Sequence, residues 1–280
     1  MQQQFERRQA LRWFAGAGTA ALIAGCSGGS GTSGNSTVSV VTATPTPTPT
    51  VTPTPTPTAT TTGSCIADPS ETAGPYPADG TNTSSGSTSN SLNINGIVRS
   101  DIRPSFISTT TVATGVQVVL TLTLVNVNAA CAPLAGYAIY LWHCDRLGNY
   151  SLYTAPTESY LRGVQVTDAN GQVTFTTIYP GCYSGRWPHM HFEVFSSLSS
   201  ATSGRNALLT SQLAMPTALN ATVYADTATY PSSRTNLAQV TLANDNVFSD
   251  NTAAQIAQQT PTFAAATTGY TASALIGLAR

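Results

Sequence analysis

The chain has 280 residues, with 11 Lys and Arg against 12 Asp and Glu, a formal net charge of −1, and only 8% charged residues. That balance excludes a basic nucleic-acid-binding surface and a polybasic patch for lipid head groups. A small molecule is the expected partner.

Residues 1–26 read as an export signal. Arg7-Arg8 precede an uncharged stretch from Trp13 to Gly25, a basic head and an apolar core too short to span a bilayer. The paired arginines, with Leu11 three positions on, predict the twin-arginine route, which carries proteins already folded and loaded with cofactor. Ile23-Ala24-Gly25-Cys26 is similar to a bacterial lipobox. It predicts a lipid anchor at Cys26 as the only membrane attachment, and hence a cell-envelope lipoprotein, periplasmic or at the cell surface.

Residues 27–63 are Ser, Gly and Thr followed by alternating Thr-Pro. With no apolar face to bury, such a segment cannot offset its conformational entropy by packing. It is expected to be a disordered, semi-extended stalk. The folded part is then residues 64–280, within the usual size of one β-rich domain.

Cysteine usage fits this division. Assigning Cys26 to lipidation leaves Cys65, Cys131, Cys144 and Cys182 in an oxidising compartment, where three disulfide pairings are possible. The short turn and strand between Cys131 and Cys144 favours joining those two, which leaves Cys65 to pair with Cys182 by elimination.

Hydrophobic periodicity in the folded part is two. Leu120, Leu122 and Leu124 alternate with Thr121 and Thr123, and Val173 and Phe175 alternate with Thr174 and Thr176. Asn-Gly and Pro-Gly turns interrupt the runs. Strands are predicted over 92–98, 116–127, 137–143, 172–178, 189–195, 239–242 and 271–278, with a short helix over 252–259. The fold class is all-β, a two-sheet antiparallel β-sandwich with long loops.

The segment Pro180-Gly181-Cys182-Tyr183-Ser184-Gly185-Arg186-Trp187-Pro188-His189-Met190-His191-Phe192 carries the most chemistry. A His-x-His pair on a strand puts both imidazoles on one face, within reach of one metal. Glu193 shares that face, so a two-histidine, one-carboxylate Fe(II) site is formally open. Same-face positions recede from a single point at about 3.3 Å per residue, which argues against three converging ligands from one strand. His143 reads as a structural residue at a strand end.

Around this segment the sequence resembles the intradiol ring-cleavage dioxygenases, which include catechol 1,2-, hydroxyquinol 1,2- and protocatechuate 3,4-dioxygenases. The matching blocks are Glu71-Thr72-Ala73-Gly74-Pro75-Tyr76, Leu141-Trp142-His143-Cys144-Asp145 leading to Gly148-Asn149-Tyr150, Arg162-Gly163-Val164-Gln165 with Thr167-Asp168-Ala169-Asn170-Gly171, and the segment above. The resemblance is strongest to the exported branch. It implies Tyr150, Tyr183, His189 and His191 as ligands of a non-haem Fe(III), Tyr150 as the fixed tyrosine and Tyr183 as the displaceable one. It also implies Arg186 and Gln212 beside the substrate ring. Tyr76 and Pro75 read either as lining of the pocket mouth or as a turn before the first strand. Arg162 and Asp168 are expected as a supporting ion pair, although Asp168 to Gly171 reads equally as a hairpin turn.

Two phenolates are hard anionic donors that stabilise Fe(III) against reduction, whereas two imidazoles and a carboxylate suit Fe(II). The ligand set implied by the resemblance therefore predicts activation of the substrate, a catechol-type ring, for reaction with O2 to a muconate-type diacid. Two other readings compete. One is a catalytically inactive stalked surface binding module on the same sandwich. The other is a hydrolytic Zn or Fe(II) enzyme at the same histidines. Where cytoplasmic relatives carry a helical N-terminal region, this chain has the signal and stalk.

Overall fold

The computed structural model describes residues 65–280. The export signal, the lipobox at Cys26 and the stalk lie outside the described residues. Among the described residues nine strands form two sheets. The first sheet contains β1 (Gln117–Asn126), β2 (Ala132–Pro133), β5 (Gln172–Ile178), β8 (Thr262–Ala265) and β9 (Tyr270–Leu278). Its order is β2-β1-β9-β8, with β5 pairing along β1. The second contains β3 (Ala138–Trp142), β4 (Arg162–Val166), β6 (His189–Phe195) and β7 (Leu209–Ala214), in the order β4-β3-β6-β7. Three short helices, α1 (Thr217–Val223), α2 (Ser233–Leu237) and α3 (Ala253–Gln259), fill the C-terminal connections. Among the described residues no helix is long and apolar enough to cross a membrane.

The alternation read in the sequence is the register of the first sheet. Val118, Leu120, Leu122 and Leu124 of β1 and Val173 and Phe175 of β5 point into one core. They meet Ile139 and Leu141 of β3, Met190, Phe192 and Val194 of β6 and Leu213 of β7 across the sandwich. The second sheet is buried on its other face too: β3 and β6 are buried at every position. There Tyr140 and Trp142 pack with Tyr150, Tyr153, Leu92 and Ile97 from the loops that cover the sheet.

One strand pair departs from the antiparallel expectation. β9 runs parallel to β1, from Val118↔Tyr270 to Asn126↔Leu278. The long excursion through the second sheet between them supplies the crossover that a parallel pair needs. The predicted strand over 92–98 is instead a 3₁₀ turn, Ser91–Asn93, capped by the Asn90 side chain, followed by a single bridge from Val98 to Val164. The predicted strand over 239–242 falls in turns after α2, where the Asn244 side chain accepts from the Thr241 amide. The predicted helix is α3; Thr252 and Gln255 form a capping box at its start.

The disulfide pairing is corrected. The bond joins Cys65 to Cys131, with Cα atoms 5.9 Å apart, and Cys144 and Cys182 are buried free thiols. Cys131 sits in a left-handed turn after β1, in the first sheet, whereas Cys144 follows β3, in the second. The chain between them therefore crosses from one sheet to the other, and the short separation does not bring the sulfurs together. Nor do Arg162 and Asp168 pair. Asp168 caps its own turn through the amides of Asn170 and Gln172. Arg162 is fully buried and donates to the carbonyls of Tyr76, Pro77 and Ser151, the Ser151 hydroxyl and the Tyr140 hydroxyl. It therefore ties the covering loops to the second sheet.

Candidate metal centre

β6 presents His189 and His191 on the loop-covered face of the second sheet, and both rings are almost completely buried. Their Nε2 atoms are 3.0 Å apart. Tyr150 follows the turn after β3, and its hydroxyl lies 3.3 Å from His189 Nε2 and 3.2 Å from His191 Nε2. Tyr183 belongs to the loop entering β6, and its hydroxyl lies 3.2 Å from His189 Nε2. Two phenol oxygens and two imidazole nitrogens from three chain segments thus converge on one point.

Local sequence makes this approach possible. Gly148 adopts φ +87°, and a Cβ there would come 2.9 Å from Tyr183 Cβ, so glycine lets the Tyr150 turn close against the Tyr183 loop. Gly74 adopts φ +68° and lies over the edge of His191, where a Cβ would be 3.3 Å from its Cε1. The Trp142 ring stacks on His191 at 4.9 Å and 7°, fixing the plane of that imidazole.

The protonation of the donors follows from their partners. His189 Nδ1 is 2.6 Å from the Trp187 carbonyl; a carbonyl can only accept, so Nδ1 donates and Nε2 presents its lone pair to the centre. Burial pushes the His189 pKa down to about 3, with the nearby Arg186 cation acting in the same direction. His191 is held well below its ordinary value by burial and by His189. Burial raises the Tyr183 phenol to about 12 and Tyr150 well above its ordinary value.

This donor set fits a hard trivalent cation. The lone pair of His189 Nε2 is ringed by polar atoms at 3.0, 3.2 and 3.3 Å. For both phenols burial outweighs the lowering effect of the Arg186 cation, and a metal would displace their protons. Among the described residues no group of three His, Cys, Asp or Glu side chains could hold a metal ion; here tyrosines complete the set. Glu193 does not join it. Its carboxylate faces Asp79 across Gly204, further along the strand. His143 is structural, bonded through Nε2 to the Thr177 hydroxyl at 2.6 Å and through Nδ1 to the Cys144 carbonyl at 2.8 Å.

A cavity of about 650 Å³ opens beside the four donors, lined by Gly74, Pro75, Tyr76, Tyr150, Tyr183 and Arg186 among others. Tyr76 packs against Tyr150 with ring centroids 5.0 Å apart. Arg186 donates through Nη2 to Gln212 Oε1 at 2.8 Å and through Nε to Asp245 Oδ2 at 2.9 Å. Gln212 is in turn held by donation to the Thr72 carbonyl. Asp245 was not singled out from the sequence, because Asn244-Asp245-Asn246 reads as ordinary turn chemistry.

The family model for dioxygenases matches residues 107–266, more than half of the chain and a span that includes the four donors, Arg186, Gln212 and Asp245. The chain belongs to this dioxygenase family. No curated protein matches the chain. Among solved structures, an intradiol ring-cleavage dioxygenase from Tetranychus urticae is 22% identical, with 77% of this chain and 95% of that one covered and a TM-score of 0.56. The dioxygenase domain of a dioxygenase carbohydrate-binding protein fusion from Streptomyces sp. SirexAA-E is 21% identical, covering 76% and 99%, with a TM-score of 0.47. Catechol 1,2-dioxygenase from Pseudomonas arvilla C-1 is 19% identical, covering 64% and 56%, with a TM-score of 0.41.

Proposed function

We propose that the protein is a non-haem Fe(III)-dependent intradiol dioxygenase, which inserts both atoms of O2 into a catechol-type ring to give a muconate-type diacid. The observation that carries this reading is the convergence of two phenol oxygens with two imidazole nitrogens beside an open cavity. Bound by Tyr150, Tyr183, His189 and His191, Fe(III) would act as the Lewis acid that takes up a catechol as its dianion and activates it towards O2.

The chain's own groups account for the rest. Tyr150 is 1% exposed, while Tyr183 is only partly buried on the cavity wall, so Tyr183 is the tyrosine free to leave the centre and accept a hydroxyl proton from the substrate. Arg186 stands on the same wall, where its charge favours electron density on the ring carbons. Tyr76 and Pro75 give the ring an apolar edge to lie against. The loops over the second sheet exclude water from the donors and so strengthen each of these interactions.

The test is the visible absorption spectrum of the iron-loaded full chain, before and after anaerobic addition of catechol, alongside Tyr183→Phe. The expected result is a broad tyrosinate charge-transfer band that shifts with catechol and weakens in the variant. A colourless iron-loaded protein unaffected by catechol overturns the reading in favour of a binding module. The same proposal tethers the domain to the cell envelope at Cys26. Metabolic labelling with a fatty acid should mark the wild-type chain and not Cys26→Ala; equal labelling overturns it.

A further inference from the structure

Asp245 belongs to the turns between α2 and α3, far in sequence from every donor of the centre, and its side chain is fully buried. Both its oxygens are used twice. Oδ2 accepts from Arg186 Nε at 2.9 Å and from the Trp187 amide at 2.7 Å. Oδ1 accepts from the amides of Val247 at 2.9 Å and Phe248 at 3.1 Å. Three backbone amides therefore fix the carboxylate before the guanidinium reaches it.

We infer that Asp245 is a positioning residue for the reaction, setting the plane of the Arg186 guanidinium and, through the Trp187 peptide, the orientation of His189. This rests on the proposed function, in which Arg186 addresses the bound ring. An arginine on a pocket wall has several rotamers to choose among, and its fork is directional only when its plane is set. Asp245 holds Nε and Gln212 holds Nη2, so two of the three guanidinium nitrogens are fixed. Nη1 makes no hydrogen bond among the described residues, and it is the donor left for the cavity.

The second arm of the argument runs through Trp187. The amide of this residue donates to Asp245, and its carbonyl accepts from His189 Nδ1 at 2.6 Å. The two peptide units that flank Trp187 Cα thus link the buried carboxylate to the tautomer of a metal-centre imidazole. Such outer partners of a ligating histidine fix ring orientation and basicity. The carboxylate also offsets the cation at the cavity wall, so no uncompensated charge is buried there before a ring binds.

The test is a double-mutant cycle on the iron-loaded full chain, with O2 uptake on catechol as the readout. Asp245→Asn keeps the shape and the Oδ1 acceptor but removes the charge. It is expected to lower kcat/KM by about 10–100-fold, the usual scale for an outer partner of a metal ligand, with iron content retained. In an Arg186→Ala background the same substitution is expected to change kcat/KM much less, because the group through which most of its effect passes is gone. Equal losses in both backgrounds would mean that Asp245 does not act through Arg186 and overturn the inference, as would wild-type turnover by Asp245→Asn. Should that variant not fold, Arg186→Lys carries the test. It keeps the charge beside Asp245 but has no fork, and its turnover should fall comparably; undiminished turnover overturns the inference. A wild-type chain that shows neither a catechol-dependent band nor O2 uptake fails at the proposed function itself, a result distinct from all of these.

Discussion

The two sheets share one core but spend their second faces differently. β1 and β5 of the five-stranded sheet alternate buried with exposed or half-buried positions, as a sheet with one wet face must. β3 and β6 of the four-stranded sheet are buried on both faces, and their second face carries Tyr140, Trp142, His189, His191 and Glu193 instead of hydrocarbon. The first sheet is scaffold. The second is a platform whose polar face is roofed by loops, and the roof is fastened by Arg162, which gives all its donors to roof carbonyls, Ser151 and Tyr140. Chemistry has been placed where a sheet is buried twice, because only there can imidazoles and phenols converge away from water.

The sharpest break of this comparison is at the platform. His191→Ala should abolish iron-dependent turnover and the tyrosinate band, while the metal-free protein still unfolds cooperatively in urea after losing the Trp142 stack and the Nε2 contacts. Leu122→Ala, on the inner face of β1 and fully buried, should do the reverse. A buried leucine truncation costs about 2–5 kcal/mol, read from the urea midpoint, with the band position unchanged in the folded protein. If Leu122→Ala shifted the band, or His191→Ala unfolded the domain, scaffold and platform would not be separable.

A smaller effect distinguishes the faces by pH. Glu193 is buried on the platform opposite Asp79, and its pKa is raised well above the ordinary value by burial first and by Asp79 second. The folded protein then keeps a proton that the unfolded chain has lost, so the group's contribution to stability is full at low pH and declines as pH rises towards the folded pKa. The three buried histidines have depressed values and act only below about 6.5, and Asp68, raised to about 6, is ionised above that. Metal-free wild type should therefore lose stability as pH rises above the free carboxyl range, measured by urea unfolding across that range, and Glu193→Gln should make the slope shallower. An unchanged slope in Glu193→Gln would show that the carboxyl is already ionised in the folded state.

Legibility followed the same divide. β1 and β5 announced themselves by alternation, since one wet face leaves a period of two in the sequence. β4 and β7 did not: in Arg162-Gly163-Val164-Gln165-Val166 and Leu209-Thr210-Ser211-Gln212-Leu213-Ala214 the polar Arg162, Ser211 and Gln212 are buried beside apolar residues, so apolar alternation is lost. β6 was legible through His-x-His, which needs only strand geometry. Tyr150 and Tyr183 stand in loops, where no periodicity marks them, and only the order of blocks in the family resemblance pointed to them. Asp245 had no signal at all, because its role depends on a meeting with Arg186 across 59 positions. The disulfide was mispaired for a related reason: sequence proximity of Cys131 and Cys144 says nothing about which sheet each belongs to.

The smallest expected effect lies on the wet face of the first sheet. Thr121 and Thr174 stand directly opposite each other on β1 and β5, with their hydroxyls 3.0 Å apart in solvent. A cross-strand threonine pair contributes roughly 0.2–1 kcal/mol relative to alanines. Water competes for both hydroxyls here, so Thr174→Ala should fall near the low end and leave turnover and the tyrosinate band untouched. The check is a urea midpoint together with O2 uptake on catechol. A shift as large as that of Leu122→Ala would mean that this face is covered by something in the folded protein, and the contrast between a one-faced scaffold and a two-faced platform would fail at its simplest point.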